Sequence, residues 1–218
     1  MKTAYDLIVV GAGPAGSAAA MRAAQAGLDV LLVEKRQEIG VPVRCGEATD
    51  IETTVRFMEL DQRWIANHVE SYAIFNGAGD FVSVPPSGDT IILDRKVFDE
   101  ALAAQAVRAG AEVRVNTAAV DLIRAGDAIV GVRLQSFGKS FNVRARLVVA
   151  ADGVESLVAR WAGLKTVPAM NDFFVGAQYT LAGLEGRIDP TRCEYHVGQE
   201  TIAPGGYVWV FPKSDEKA

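Results

Sequence analysis

Gly11-Ala-Gly13-Pro14-Ala15-Gly16 follows directly on the apolar run Leu7-Ile-Val-Val10, and this pairing restricts the fold more than any other feature of the chain. An alanine-rich stretch continues to Gly27, where a glycine belongs just past a helix end. A second apolar run, Val30-Leu-Leu-Val33, then ends at the acidic Glu34. The order is strand, tight turn, helix, strand, carboxylate, a βαβ unit over Ala4 to Arg36 in the dinucleotide-binding arrangement. Gly11 permits the turn, Gly13 lets backbone approach a pyrophosphate, and Gly16 lets the helix lie close on the sheet. The helix start offers unpaired N–H groups and the positive end of its dipole to phosphates. Glu34 would accept hydrogen bonds from ribose hydroxyls and repel a 2′-phosphate, so the site should favour FAD or NAD over NADP.

Half of the 218 residues are apolar, enough for a substantial core in one or two domains. A formal charge of −5, with the basic residues scattered, argues against a nucleic-acid partner. Cys45 and Cys193 lie far apart without metal-ligand spacing, so no metal is expected. No secretory leader is evident, and reduced thiols in a cytoplasmic protein are the expectation. Arg22, Gln25 and Asp29 interrupt the longest apolar stretches, so no membrane-spanning helix is expected, while peripheral membrane contact stays open.

Further along, Ile51 to Trp64 reads as helical. Ser71–Phe75 and Phe81–Val84 flank a glycine-rich loop and form a hairpin. Ile91–Leu93 reads as a short strand leading to Asp94 as a helix cap, and Arg95 to Ala109 carries Val97, Phe98, Ala101, Leu102 and Ala106 at helical spacing. Glu112–Val115 should join the first two strands in parallel. Ala118–Ile123, Ile129–Leu134 and Phe141–Val143 predict a meander, and Leu147–Ala151 a separate buried strand running into Asp152-Gly153. Phe173–Leu181, Cys193–Val197 and Tyr207–Phe211 predict a second sheet shared with the hairpin.

Asp152-Gly153 sits at the carboxyl end of a predicted strand, where open α/β sheets bind ligands; an ordinary Asp-Gly turn is the plainer alternative. Arg95 suits a pyrophosphate partner or a solvated helix start. Tyr207, Trp209 and Phe211 share one face by strand alternation, with Val208 and Val210 on the other.

With these residues in view, the chain resembles FAD-dependent oxidoreductases of the p-hydroxybenzoate hydroxylase superfamily, and within it the geranylgeranyl reductase family. Glu34-Lys35-Arg36, Arg44-Cys45-Gly46-Glu47-Ala48, Asp94-Arg95-Lys-Val-Phe98-Asp99 and Pro204–Lys213 carry the narrower likeness. The resemblance implies an α/β fold: a Rossmann-like FAD-binding domain with parallel sheet and β-meander over 1–64 and 88–164. Residues 65–87 and 165–218 would form part of an interleaved antiparallel-sheet substrate domain. It implies FAD contacts from Gly11, Gly13, Pro14, Ala15, Gly16, Glu34, Lys35, Arg36, Arg44, Cys45, Gly46, Ala48, Arg95, Ala119, Val120, Asp152 and Gly153. Tyr207, Trp209, Phe211 and Pro212 would wall a cavity for an isoprenoid or prenylated lipid, whose double bonds are reduced by flavin hydride transfer. Cys45 and an ordered water are both candidates for the proton donor. NADPH, NADH and ferredoxin are all open as the external electron donor.

A flavin monooxygenase, a quinone-linked dehydrogenase and an inert FAD-binding module are the competing readings. Members of the resembled family are longer and carry a second Gly-Asp motif. Gly79-Asp80, Gly88-Asp89 and Gly126-Asp127 here lack its sequel, so the chain reads as an N-terminal portion whose partner is the remaining C-terminal part.

Overall fold

A computed structural model describes residues 2–86, 88–199 and 201–218. Its strands are β1 Ala4–Val10, β2 Val30–Val33, β3 Ala48–Asp50, β4 Ile65–Val69, β5 Ser71–Phe75, β6 Phe81–Val84, β7 Thr90–Leu93, β8 Glu112–Arg114, β9 Ala118–Ala125, β10 Ala128–Ser136, β11 Lys139–Ala150, β12 Arg192–Val197 and β13 Tyr207–Val210. The helices are α1 Pro14–Gln25, α2 Ile51–Thr54, α3 Arg95–Arg108 and α4 Leu157–Trp161. Two compact units share the chain: Met1–Pro42 with Lys96–Ala169, and Val43–Arg95 with Met170–Ala218. Residues 43–64 and 88–95 therefore lie in the second unit and 165–169 in the first, unlike the expected boundaries. β3 and β4 pair with β7, which draws their neighbours along with them.

The first unit is α/β and Rossmann-like, with strand order β8-β2-β1-β11-β10-β9. β1 runs parallel to β2 and β11, and β2 parallel to β8. β2 is an unbroken apolar run because both its faces are covered. Val30 and Leu32 pack with Leu7, Val9, Ala20, Met21, Ala24 and Ala106, while Leu31 and Val33 pack with Ile8, Val10, Leu134 and Val143.

The predicted strands Phe141–Val143 and Leu147–Ala151 are one strand. β11 pairs antiparallel with β10 up to Arg144 and parallel with β1 from Arg144 on. Arg144 and Arg146 look like a break in an apolar pattern. They are exposed positions alternating with buried Val143 and Ala145, the period of two that a strand requires.

In the second unit, one sheet has the order β13-β12-β5-β6 and another β3-β7-β4. β12 runs parallel to β5, so this sheet is mixed rather than purely antiparallel. Val69, Ile92 and Cys193 form the centre of its core, with Tyr72, Tyr195 and Phe211 packed around them.

Two expectations fail in this unit. Ile51 to Trp64 contains only the four-residue α2 and a 3-10 turn at Gln62–Trp64. The β-branched run Thr53-Thr54-Val55 gives a helix poor support, and fully buried Trp64 anchors the turn instead. Phe173–Leu181 forms no strand: Phe174, Val175 and Tyr179 are more than four-fifths exposed. Only at its end does Leu181 exchange backbone hydrogen bonds with Ala218.

Candidate functional site

In the first unit the glycine turn is built by backbone touching backbone. Gly11 has φ +102°, and a Cβ on it would stand 2.3 Å from the Ala151 carbonyl oxygen and 3.2 Å from Asp152 Cα. A Cβ on Gly16 would fall 1.8 Å from the Gly11 carbonyl oxygen. Turn, helix and the end of β11 therefore meet at distances that only glycine allows. Gly13 is different: a Cβ there would meet nothing within 4 Å.

Gly13 is also the N-cap of α1 and has no side chain to accept a bond from the helix, and Pro14 follows at the first helical position. The first-turn N–H groups of Ala15 and Gly16 thus have no side-chain cap, at the positive end of the helix dipole. Ala15 is exposed there. An uncapped helix start beside an open glycine fits a pyrophosphate.

Glu34, at the end of β2, is tied to this turn. Its Oε2 accepts the Ala12 N–H at 3.1 Å and its Oε1 the Arg36 N–H at 3.0 Å. Each carboxylate oxygen keeps a second lone pair, so the group can still accept from hydroxyls. Asp152 accepts the Val158 N–H at 2.9 Å and so caps the start of α4. Gly153 beside it is exposed, with φ +71°. Lys35 pairs with Glu155 on the surface, and the Arg36 carbonyl accepts the Asn116 N–H at 2.7 Å. Gly11 to Gly16, Glu34 and Asp152 are thus brought together. Ala119 and Val120 lie on edge strand β9, with Ala119 packed into the core and Val120 exposed.

The remaining candidates lie in the second unit. Arg44 is exposed and Cys45 half-buried, its Sγ accepting the Glu47 N–H at 3.3 Å. A Cβ on Gly46 would stand 2.8 Å from Phe211 Cε2 and 3.4 Å from Trp209 Nε1, so the loop lies flat on these two rings. Ala48 pairs with Ile92. The Arg95 N–H, opening α3, is taken by Glu47 Oε1 at 3.0 Å. Glu47 Oε2 pairs with Lys213 Nζ at 2.7 Å. In the sequence Glu47 stands only as part of the Cys45–Ala48 loop and Lys213 only as the end of the Pro204–Lys213 motif, with nothing that pairs them. Nothing local in the sequence marks a carboxylate as buried.

Tyr207, Trp209 and Phe211 belong to a larger aromatic array. Tyr195 lies opposite Trp209 in the β12–β13 register, with ring centroids 5.7 Å from Tyr207 and 5.2 Å from Phe211. Tyr72 stands 6.2 Å from Tyr195, and Tyr207 6.2 Å from Trp209. Tyr207 is 52% exposed, Trp209 and Phe211 are half-buried, and buried Pro212 accepts the Asn67 side-chain amide at 3.0 Å. Burial pushes the Tyr195 phenol and the Cys193 thiol up to about 12. Tyr72 and Tyr195 were missed, although strand alternation does put Tyr195 and Cys193 on one face.

The family model for the FAD binding domain matches residues 4–177, and that for the geranylgeranyl reductase catalytic domain matches residues 172–218. A digeranylgeranylglycerophospholipid reductase of Methanosarcina acetivorans is 50% identical over 222 aligned positions, which cover all of this chain and 54% of that protein. The crystal structure of a geranylgeranyl bacteriochlorophyll reductase-like protein from Thermoplasma acidophilum is 37% identical, with a TM-score of 0.87 over 99% of this chain and 55% of its own. A flavin-dependent brominase, 19% identical with a TM-score of 0.75 over 98% of this chain and 55% of its own, shares the fold. The chain spans about half the length of the relatives it matches.

Proposed function

This chain belongs to the FAD binding domain family, its residues 4–177 matching that family's model, and from this premise we propose that it serves a flavin-dependent reduction of isoprenoid carbon–carbon double bonds in a lipid. The observation that carries the reading is the seat of Gly46 on Trp209 and Phe211. It joins the Cys45 loop to an aromatic wall inside the segment that matches a geranylgeranyl reductase catalytic domain.

FAD, when bound and reduced, supplies the hydride. The α1 N-terminus and Gly13 receive its pyrophosphate, and Glu34 accepts from its ribose hydroxyls. Lys35, Arg36, Ala119, Val120 and Asp152-Gly153 would complete the nucleotide contacts of the first unit; Arg44, Cys45, Gly46, Ala48 and Arg95 are the residues that the family resemblance adds. Tyr207, Trp209, Phe211 and Pro212 shed water and hold the apolar chain, each buried methylene contributing about 0.8 kcal/mol. An isolated alkene needs a proton on the carbon that takes no hydride, and half-buried Cys45 and an ordered water are the two candidates to carry it. Cys193 cannot serve, being fully buried with its thiol pushed up to about 12. A cytoplasmic protein with peripheral membrane contact is the localisation that this reading proposes, and cell fractionation checks it.

The test is the visible spectrum of the chain with added FAD, then anaerobic turnover of a digeranylgeranyl phospholipid by the reduced, full-length protein. A stoichiometric flavin band and loss of double bonds by mass spectrometry are expected. Flavin-bound protein that consumes oxygen and leaves the lipid intact would overturn the reading in favour of a monooxygenase.

A further inference from the structure

Glu47 is 3% exposed, and a buried carboxylate is tolerated only where charge and hydrogen-bonding capacity are both met. Both are met here by two contacts to the carboxylate, and two more hold the residue's backbone. Its N–H donates to Cys45 Sγ at 3.3 Å, and its carbonyl accepts the Leu93 N–H at 2.9 Å. Its two carboxylate oxygens take the Arg95 N–H at 3.0 Å and Lys213 Nζ at 2.7 Å. Lys213 is itself mostly buried, at 16%. The Glu47 backbone has φ +70°, a left-handed conformation that a residue with a side chain keeps only when its surroundings enforce it.

These contacts bracket the Cys45–Gly46 turn. Gly46 rests on Phe211 and Trp209, and the next residue is tied to Lys213, two positions past Phe211. Loop and strand end are therefore joined twice, once by ring contact and once by a buried ion pair.

We propose that Glu47 is a positioning residue that, paired with Lys213, clamps the Cys45–Gly46 turn onto the Trp209–Phe211 wall and holds Cys45 Sγ against its own N–H. The importance of that turn rests on the function proposed above; the clamp itself requires neither flavin nor lipid. Removing Lys213 alone leaves the Glu47 charge buried and uncompensated, which drives the loop outward. Removing both charges does not.

The experiment is the rate of Cys45 alkylation by iodoacetamide in the 218-residue chain without FAD, with the labelled site identified by mass spectrometry. Cys193 is fully buried and stays silent in the folded protein. K213M should react about tenfold faster than wild type, K213R near the wild-type rate, and the E47Q/K213M pair within about threefold of it. Equal rates for wild type and K213M, with both folded by circular dichroism, would overturn the proposal. So would a double variant as fast as K213M, since a merely structural contact gives additive effects. Should K213M not fold, E47D carries the test: it keeps both charges but shortens the reach, and an unchanged rate there overturns the clamp equally. A chain that binds no FAD leaves this result standing, and one that binds FAD with an unclamped loop fails here alone.

Discussion

The glycine turn of the first unit and the Cys45 loop of the second both use a glycine at a close approach, and they differ in what they approach. Gly11 and Gly16 face backbone carbonyls, while Gly46 faces the edge of a phenyl ring and an indole nitrogen. A carbonyl in a turn between strand and helix cannot retreat without unmaking the hydrogen bonds around it. A ring at the end of a strand has a side-chain torsion with which to move. The first site is therefore rigid by construction, and the second is held by contacts that can be loosened one at a time. Under the proposed function, that division suits a nucleotide grip that stays fixed and a substrate wall that adapts.

The largest effect expected from this contrast is at Gly16. Its Cβ would stand 1.8 Å from the Gly11 carbonyl oxygen, so G16A should lower unfolding stability by roughly 3 to 5 kcal/mol in urea titration. Three residues earlier, G13A should behave in the opposite way. Gly13 has φ −70° and open space around its Cβ position, so stability should fall by only about 0.5 to 1 kcal/mol, the cost of alanine at an N-cap. FAD affinity should nevertheless fall about tenfold if, as proposed, the pyrophosphate approaches the backbone at Gly13. Equal melting of the two variants, or unchanged FAD titration of G13A, would break the contrast.

The same difference governs what could be read from the sequence. The turn and its carboxylate are legible because Gly11, Gly13, Gly16 and Glu34 lie within one βαβ unit, where spacing in sequence is spacing in structure; the contact of Gly11 with Ala151 comes from far along the chain. β11 is less legible as one strand because Arg144 and Arg146 interrupt its apolar content, although they obey its alternation. Phe173–Leu181 has a strand's apolar content, and composition does not say whether a neighbouring strand exists to pair with it. Glu47 was invisible in its role for a related reason. Its burial depends on Lys213, which arrives from far along the chain.

Gly46 measures how far the second site can yield. G46A puts a methyl 2.8 Å from Phe211 Cε2, and the ring can turn aside. The expected loss is about 1 to 2 kcal/mol, well short of G16A, with a change in Trp209 fluorescence as the strand end adjusts. A loss as large as that of G16A would mean that the aromatic wall is as unyielding as the backbone turn, and the contrast would fail.

The smallest effect separates the units by pH. Burial raises the Cys193 thiol from its ordinary 9.0 to about 12, and the Tyr195 phenol from 10.0 to about 12. Both are neutral when protonated, and the folded chain keeps those protons at pH values where the unfolded chain has released them. The stability they supply is complete below about pH 9 and drains away as pH rises towards 12. Among the described residues of the first unit only Tyr5 behaves so, raised to about 12 by burial and by its hydrogen bond to Glu112. C193A should therefore flatten the alkaline limb of the second unit by on the order of 1 kcal/mol per pH unit above 9, whatever constant cost the lost sulfur adds. The check is urea unfolding of wild type and C193A at intervals from pH 8 to 11, followed through hydrogen exchange at β12 and β5. Parallel curves for the two proteins would show that the buried thiol does not set the limb, and would leave Tyr195 to account for it.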